Sequence, residues 1–259
     1  MEKILVPTDF SANSELALQY AIDLGLQDKA KLILFNDAIK EEEVEKANTG
    51  LKSALEDIKS KHNSAGELTI ESRSETGPVM EGFNKMLKDD KYDLISMLTH
   101  DDDKLDFNVG SISTKIAQKG KASSILIPEN NSYQPIKNIL IVNDFTDART
   151  DEPAFKHLAK LLQKIDAKAY LLQANYQHAK VPSSDDTSSV MGDLKPEQTE
   201  QSTFETYKEL ISQVSEHVEK HKIQMIFLPN TQAIFEKIFV GNLARKLALD
   251  TKIPVYIYF

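Results

Sequence analysis

Three groups of residues have types and spacings that could do chemistry. Gly110-Ser111 stands before a helical pattern, with Ser113 two residues on. A Gly-Ser pair at a helix start offers free N–H groups and a hydroxyl, which can cradle a phosphate. Asp9 follows the apolar run Lys3 to Pro7, and Thr99-His100 leads into Asp101-Asp102-Asp103. Asp144, Gly241 and Asn242 hold corresponding places later in the chain.

Each group also has a plain structural reading. Asp9 and Asp144 can cap the turn and helix that follow them. Gly110-Ser111 can be an ordinary helix start. The aspartate run could take Mg²⁺ or Ca²⁺ through oxygen ligands, but it lacks the spacing and glycine of a calcium loop; a solvated loop is the simpler reading. His100 has no assignable serine or carboxylate partner. His217 and His221 are i, i+4 on one helix, without a third ligand or a metalloprotease glutamate, so a surface face is expected and no metal site is assigned.

Alternating strands and helices must position these residues. Strands are expected at Lys3 to Pro7, Lys31 to Asn36, Leu68 to Ser72, Asp93 to Thr99 and Ser123 to Pro128. Helices are expected at Ser14 to Gly25, Glu41 to His62, from Gly77-Pro78 to about Lys88, and Ser111 to Lys119. Such alternation implies a mainly parallel sheet covered by helices. Ligands then bind outside the carboxyl ends of the strands, where Asp9, Asn36-Asp37 and Thr99-His100 fall.

The pattern repeats. Lys3-Ile4-Leu5-Val6-Pro7-Thr8-Asp9-Phe10 recurs as Asn138-Ile139-Leu140-Ile141-Val142-Asn143-Asp144-Phe145, and Val109-Gly110-Ser111 as Val240-Gly241-Asn242. Two matches in the same order argue for a duplicated domain: residues 1–130, a linker at 131–137, and 138–259. In the second half strands are expected at Asn138 to Asn143, Lys168 to Ala174, Gln224 to Leu228 and Pro254 to Phe259. Helices are expected at Glu152 to Ile165, about Pro196 to His221, and Asn242 to Leu249. His178 to Pro196 reads as a mobile loop, and one α-β unit looks lost.

Composition narrows the partners. The first half, up to Tyr133, has 16 basic against 24 acidic residues, the second 15 against 16. An acidic chain with only three arginines is a poor match for a nucleic-acid backbone. No apolar window reaches the roughly 18 residues a membrane span needs, and no leader pattern is visible at the start. Cysteine is absent, which excludes disulfides and thiolate chemistry and fits a cytoplasmic location.

At Pro7-Thr8-Asp9-Phe10-Ser11 the chain resembles the universal stress protein family, whose first strand ends in Pro-x-Asp-x-Ser. The segment through Thr99-His100 and Gly110-Ser111-Ile112-Ser113 to Ser124–Pro128 resembles that family's C-terminal signature. The resemblance covers the whole chain as two tandem copies. It implies two open parallel-sheet α/β domains, Rossmann-like and akin to the adenine-nucleotide alpha hydrolases. Many family members bind ATP and others do not. In those that bind, the first-strand aspartate lies near the adenosine and a glycine pattern wraps the phosphates. Asp9, Gly110 and Ser111 carry over, with Thr99, His100 and Ser113 beside them. The pattern's first two glycines do not: Leu98 and Asp101 stand there.

Leucine fills space that glycine leaves open to a close backbone approach. Asp101, Asp102, Asp103 and Asp106 add like charge, and unit charges at 4 Å repel by about 1 kcal/mol in water and roughly 4 kcal/mol at an effective dielectric of 20. ATP is therefore disfavoured and no cofactor is expected. The second site, Asp144, Gly241 and Asn242, reads as vestigial. A receiver domain is rejected because Asp9 lacks its acidic neighbour and its lysine. A nucleotidyl transferase is rejected for want of a His-x-Gly-His or glycine-rich loop.

The resulting expectation is a non-enzymatic stress-response binding module with degenerate nucleotide sites. The two halves would pair through their last strands, with a homodimer and an unidentified protein partner as further options. The alternative is an ATP- or AMP-binding protein, even a slow ATPase, using the first half with a divalent metal. A third option is a small apolar or uncharged metabolite walled by Leu98.

Overall fold

The computed structural model describes residues 1–8, 14–26, 28–38, 45, 49–50, 52–53, 56, 60, 68–99, 122–129, 131–143, 145, 148–176, 184–229 and 240–259. They fall into two compact units, one of Met1–Leu98 with Lys121–Ile127, the other containing Pro128–Phe259. The expected helices at Glu41 to His62 and Ser111 to Lys119 lie largely outside the described residues.

The first unit runs β1 (Lys3–Pro7), α1 (Ser14–Leu26), β2 (Lys31–Ala38), β3 (Ile70–Thr76), α2 (Val79–Asp89), β4 (Leu94–Thr99) and β5 (Ser123–Pro128). The second runs β6 (Asn138–Asn143), α3 (Ala148–Ile165), β7 (Lys168–Tyr176), α4 (Ser184–Met191), β8 (Gln198–Phe204), α5 (Tyr207–His221), β9 (Met225–Pro229), α6 (Val240–Thr251) and β10 (Val255–Tyr258). Strand order is β3-β2-β1-β4-β5 in the first and β8-β7-β6-β9-β10 in the second. The two orders are the same, and the ladders β1–β2, β1–β4, β2–β3, β6–β7, β6–β9, β7–β8 and β9–β10 are all parallel. No helix among the described residues is long and apolar enough to cross a membrane.

Successive residues of the central strands are buried, so both faces of these strands are apolar. Ile4, Leu5 and Val6 of β1 and Ile139, Leu140 and Ile141 of β6 are fully buried. Each such side chain contributes about 1.5–3 kcal/mol by leaving water. The outer strands have no such support: β3 reads Ile-Glu-Ser-Arg-Ser-Glu-Thr and β8 reads Gln-Thr-Glu-Gln-Ser-Thr-Phe.

That contrast explains one correction. The second half has not lost an α-β unit: β8 lies against β7 in register from Tyr170↔Gln198 to Tyr176↔Phe204. It was hidden because an outer strand buries little, so its side chains follow no apolar alternation. The long helix expected at Pro196 to His221 is therefore a strand followed by a shorter helix. Thr206 caps α5, accepting a bond from the Glu209 N–H at 3.3 Å, and the Glu209 carboxylate accepts from the Glu205 N–H at 2.8 Å. The loop expected at His178 to Pro196 likewise contains α4, and Gly192 follows that helix at φ 56°. Residues 177–183 lie outside the described part.

Candidate functional site

In the first unit Thr8, just past β1, is held from several sides. The Thr8 N–H donates to the Phe35 carbonyl at 2.8 Å, and the Asn36 side-chain amide donates to the Thr8 carbonyl at 2.7 Å. The Thr8 and Ser14 hydroxyls are 2.9 Å apart, tying β1 to the start of α1. Deeper in the unit, the Ser96 hydroxyl of β4 donates to the Ala17 carbonyl at 2.6 Å. Thr99, the last residue of β4, is fully buried, and its carbonyl accepts from the Glu129 N–H at 3.3 Å. Leu98 is half-buried within β4.

Of the candidates named from sequence, the structure places Thr99 at the carboxyl end of β4. It places Gly241 and Asn242 in the first turn of α6. Asp9, His100, Asp101, Gly110, Ser111, Ser113 and Asp144 lie outside the described residues.

The second unit carries different buried polar groups. Asn143, at the end of β6, is fully buried, and its Oδ1 accepts from the Phe145 N–H at 3.3 Å. Phe145 sits at φ 57° with its ring stacked on Phe155 at 5.5 Å. Gln173 and Asn175 on β7 are 1% and 2% exposed. Asp151, in the first turn of α3, is fully buried, where the helix dipole favours a carboxylate. Sequence reasoning passed over Asn143, Gln173, Asn175 and Asp151. A signal was present for two of them: Gln173 and Asn175 put carboxamides at alternate positions of an otherwise apolar strand.

The histidine pair is occupied in holding an edge. His217 Nδ1 lies 2.8 Å from the Gln213 carbonyl and Nε2 lies 3.0 Å from a Glu200 carboxylate oxygen. The Lys220 ammonium donates to the other Glu200 oxygen at 2.7 Å. His221 stacks on Tyr170 at 4.4 Å. The bond from Lys220, aided by His217, outweighs partial burial and holds the Glu200 carboxyl below its usual range. Glu75 on β3 has a parallel arrangement. Burial alone would raise it, but bonds from Lys85 and Arg73 win and lower it. Among the described residues no three histidine, aspartate or glutamate side chains are grouped as metal ligands.

Residues 1–128 match the model of the universal stress protein family. No curated protein matches the chain. Among solved structures, a universal stress protein from Archaeoglobus fulgidus DSM 4304 aligns with a TM-score of 0.69 at 15% identity, covering 99% of this chain and 97% of that one. A functionally unknown protein from Pseudomonas aeruginosa PAO1 aligns with a TM-score of 0.66 at 12% identity, over 100% and 92% of the two chains. The putative universal stress protein of Pseudomonas aeruginosa UCBPP-PA14 gives 0.63 at 10% identity, over 100% and 93%. At these identities the likeness is one of fold. Residues 1–128 therefore belong to the universal stress protein family by sequence, and the chain as a whole has the fold of these structures.

Proposed function

We propose that the protein is a non-enzymatic, cytoplasmic stress-response module of two tandem domains whose nucleotide sites no longer hold a triphosphate. Leu98 carries this reading. It is half-buried in β4, at the position where the family's binding members have the first phosphate-loop glycine. A branched side chain there takes the space that a glycine would leave for close backbone approach. The aspartates from Asp101 to Asp106 support the same reading by their charge.

The two halves pair, in this proposal, through their last strands. β5 and β10 each end the strand order of their own unit, and Val255-Tyr256-Ile257-Tyr258 is rich in β-branched and aromatic residues. An open edge of that composition invites aggregation, so mutual covering is a physical reason for the duplication.

Thermal-shift titration with ATP, with and without Mg²⁺, tests the nucleotide part. The proposal expects no shift in either condition. A Mg²⁺-dependent shift would instead support the competing reading, an ATP- or AMP-binding first half in which a metal ion offsets the aspartates.

A further inference from the structure

The duplication allows a direct comparison of equivalent positions. Lys3 pairs with Lys31 and Asn138 with Lys168, and Lys3 and Asn138 are repeat equivalents. Five residues beyond each partner, Asn36 of β2 and Gln173 of β7 therefore match. In the first unit this carboxamide is used internally, since Asn36 donates to the Thr8 carbonyl at 2.7 Å. In the second unit only one end of it is. Gln173 Oε1 accepts from the Gln201 side-chain amide at 3.1 Å, but Gln173 Nε2 is buried with no hydrogen-bond partner among the described residues. Two residues on, the buried Asn175 Oδ1 also has none.

We propose that this end of β7 binds a small uncharged molecule with a hydrogen-bond acceptor and donor close together, as in a carboxamide, lactam or urea. Leaving a buried donor or acceptor unsatisfied costs about 1–3 kcal/mol, so two on one strand call for a partner. Gln173 Nε2 supplies a donor and Asn175 Oδ1 an acceptor. With Gln201 donating to Gln173 Oε1, the Nε2 end of Gln173 is the one left without a partner. Residues i and i+2 of a strand point to the same face, roughly 6.8 Å apart along it, a span that one planar amide and its two hydrogen bonds can bridge.

The ligand's lack of charge follows from its neighbours. Asn143 is in register with Gln173, Gln173 with Gln201, and Asn175 with Thr203. The row across β6, β7 and β8 is thus carboxamide and hydroxyl throughout, with no charged side chain to meet a phosphate or a carboxylate. The inference rests on reading the protein as a binding module, and it changes the second half from a worn copy to a site rebuilt for different chemistry.

The test uses the full chain with ¹⁵N-labelled asparagine and glutamine side chains. Acetamide is titrated in, with acetate as its charged counterpart. A saturable shift of the Gln173 and Asn175 side-chain resonances with acetamide, absent with acetate, is expected. Gln173→Met, which keeps the shape and removes the donor, should weaken the acetamide response about tenfold, the equivalent of one hydrogen bond. Should that variant not fold, Gln201→Ala, at an exposed position, should weaken the response by freeing Gln173 to turn. A linear, unsaturable response in the wild type overturns the proposal, as does equal affinity in the folded variants. ATP binding is read separately, so failure here leaves the nucleotide reading standing, and the reverse also holds.

Discussion

His217 Nε2 on α5 lies 3.0 Å from the Glu200 carboxylate on β8, so the outer strand of the second unit is fastened to the helix that follows it. Glu75 does the same in the first unit, binding Lys85 of α2 from the outer strand β3. Both strands are polar, and both depend on carboxylates where the central strands depend on burial.

This dependence has a pH signature. Both carboxyls lie below their usual range in the folded protein. A carboxylate with a lowered folded-state pKa adds stability above its unfolded value, near 4.3, and that stability is lost as pH falls through the folded value. Hydrogen exchange should therefore show Ile70–Thr76 and Gln198–Phe204 losing protection below about pH 4, before β1 and β6 do. Glu200→Gln should loosen β8 selectively at neutral pH. Simultaneous loss across all strands would contradict this.

Gly25 lets α1 approach the sheet closely. A Cβ there would lie 2.9 Å from Ile4 Cδ1 and 3.1 Å from Ala30 Cβ. The isoleucine methyl can swing aside, but the alanine cannot. Gly25→Ala gains up to about 1 kcal/mol of helix propensity against an overpacking cost of about 1–3 kcal/mol. A net loss of roughly 1 kcal/mol is expected by urea denaturation.

Tyr256 of β10 is fully buried with its hydroxyl 2.9 Å from His157 Nε2, and its ring stacks on Phe227 at 5.5 Å. Tyr256→Phe keeps the stack and removes the bond. It should cost about 1 kcal/mol, read from the same unfolding curves.

If the last strands pair, neither leaves a free row of backbone amides. Hydrogen exchange should then protect successive amides of both Ser123–Pro128 and Val255–Tyr258, with the two strands opening together. Fast exchange at alternate positions of either strand would remove the proposed pairing.

Most of the fold could be read from apolar runs. The central strands announce themselves because burial on both faces demands continuous runs such as Ile4-Leu5-Val6, and the repeat of that run exposed the duplication. β8 escaped because Gln198 to Thr203 bury too little to leave an apolar pattern. The candidate site was less legible. Leu98 and Thr99 could be placed at a strand end from spacing alone, whereas the state of Gln173 and Asn175 depends on a register that no single strand reveals. Asn36, the counterpart of Gln173, has its partner only because β1 and β2 meet at Thr8.

Leu98 and the acidic residues after it are proposed to close the first half to triphosphate. Isothermal titration of the full chain with MgATP, beside the double variant Leu98→Gly/Asp101→Gly, tests this most directly. The wild type should release no binding heat, and the variant, with both glycines restored, should acquire saturable binding. MgATP binding by the unaltered chain would contradict the account.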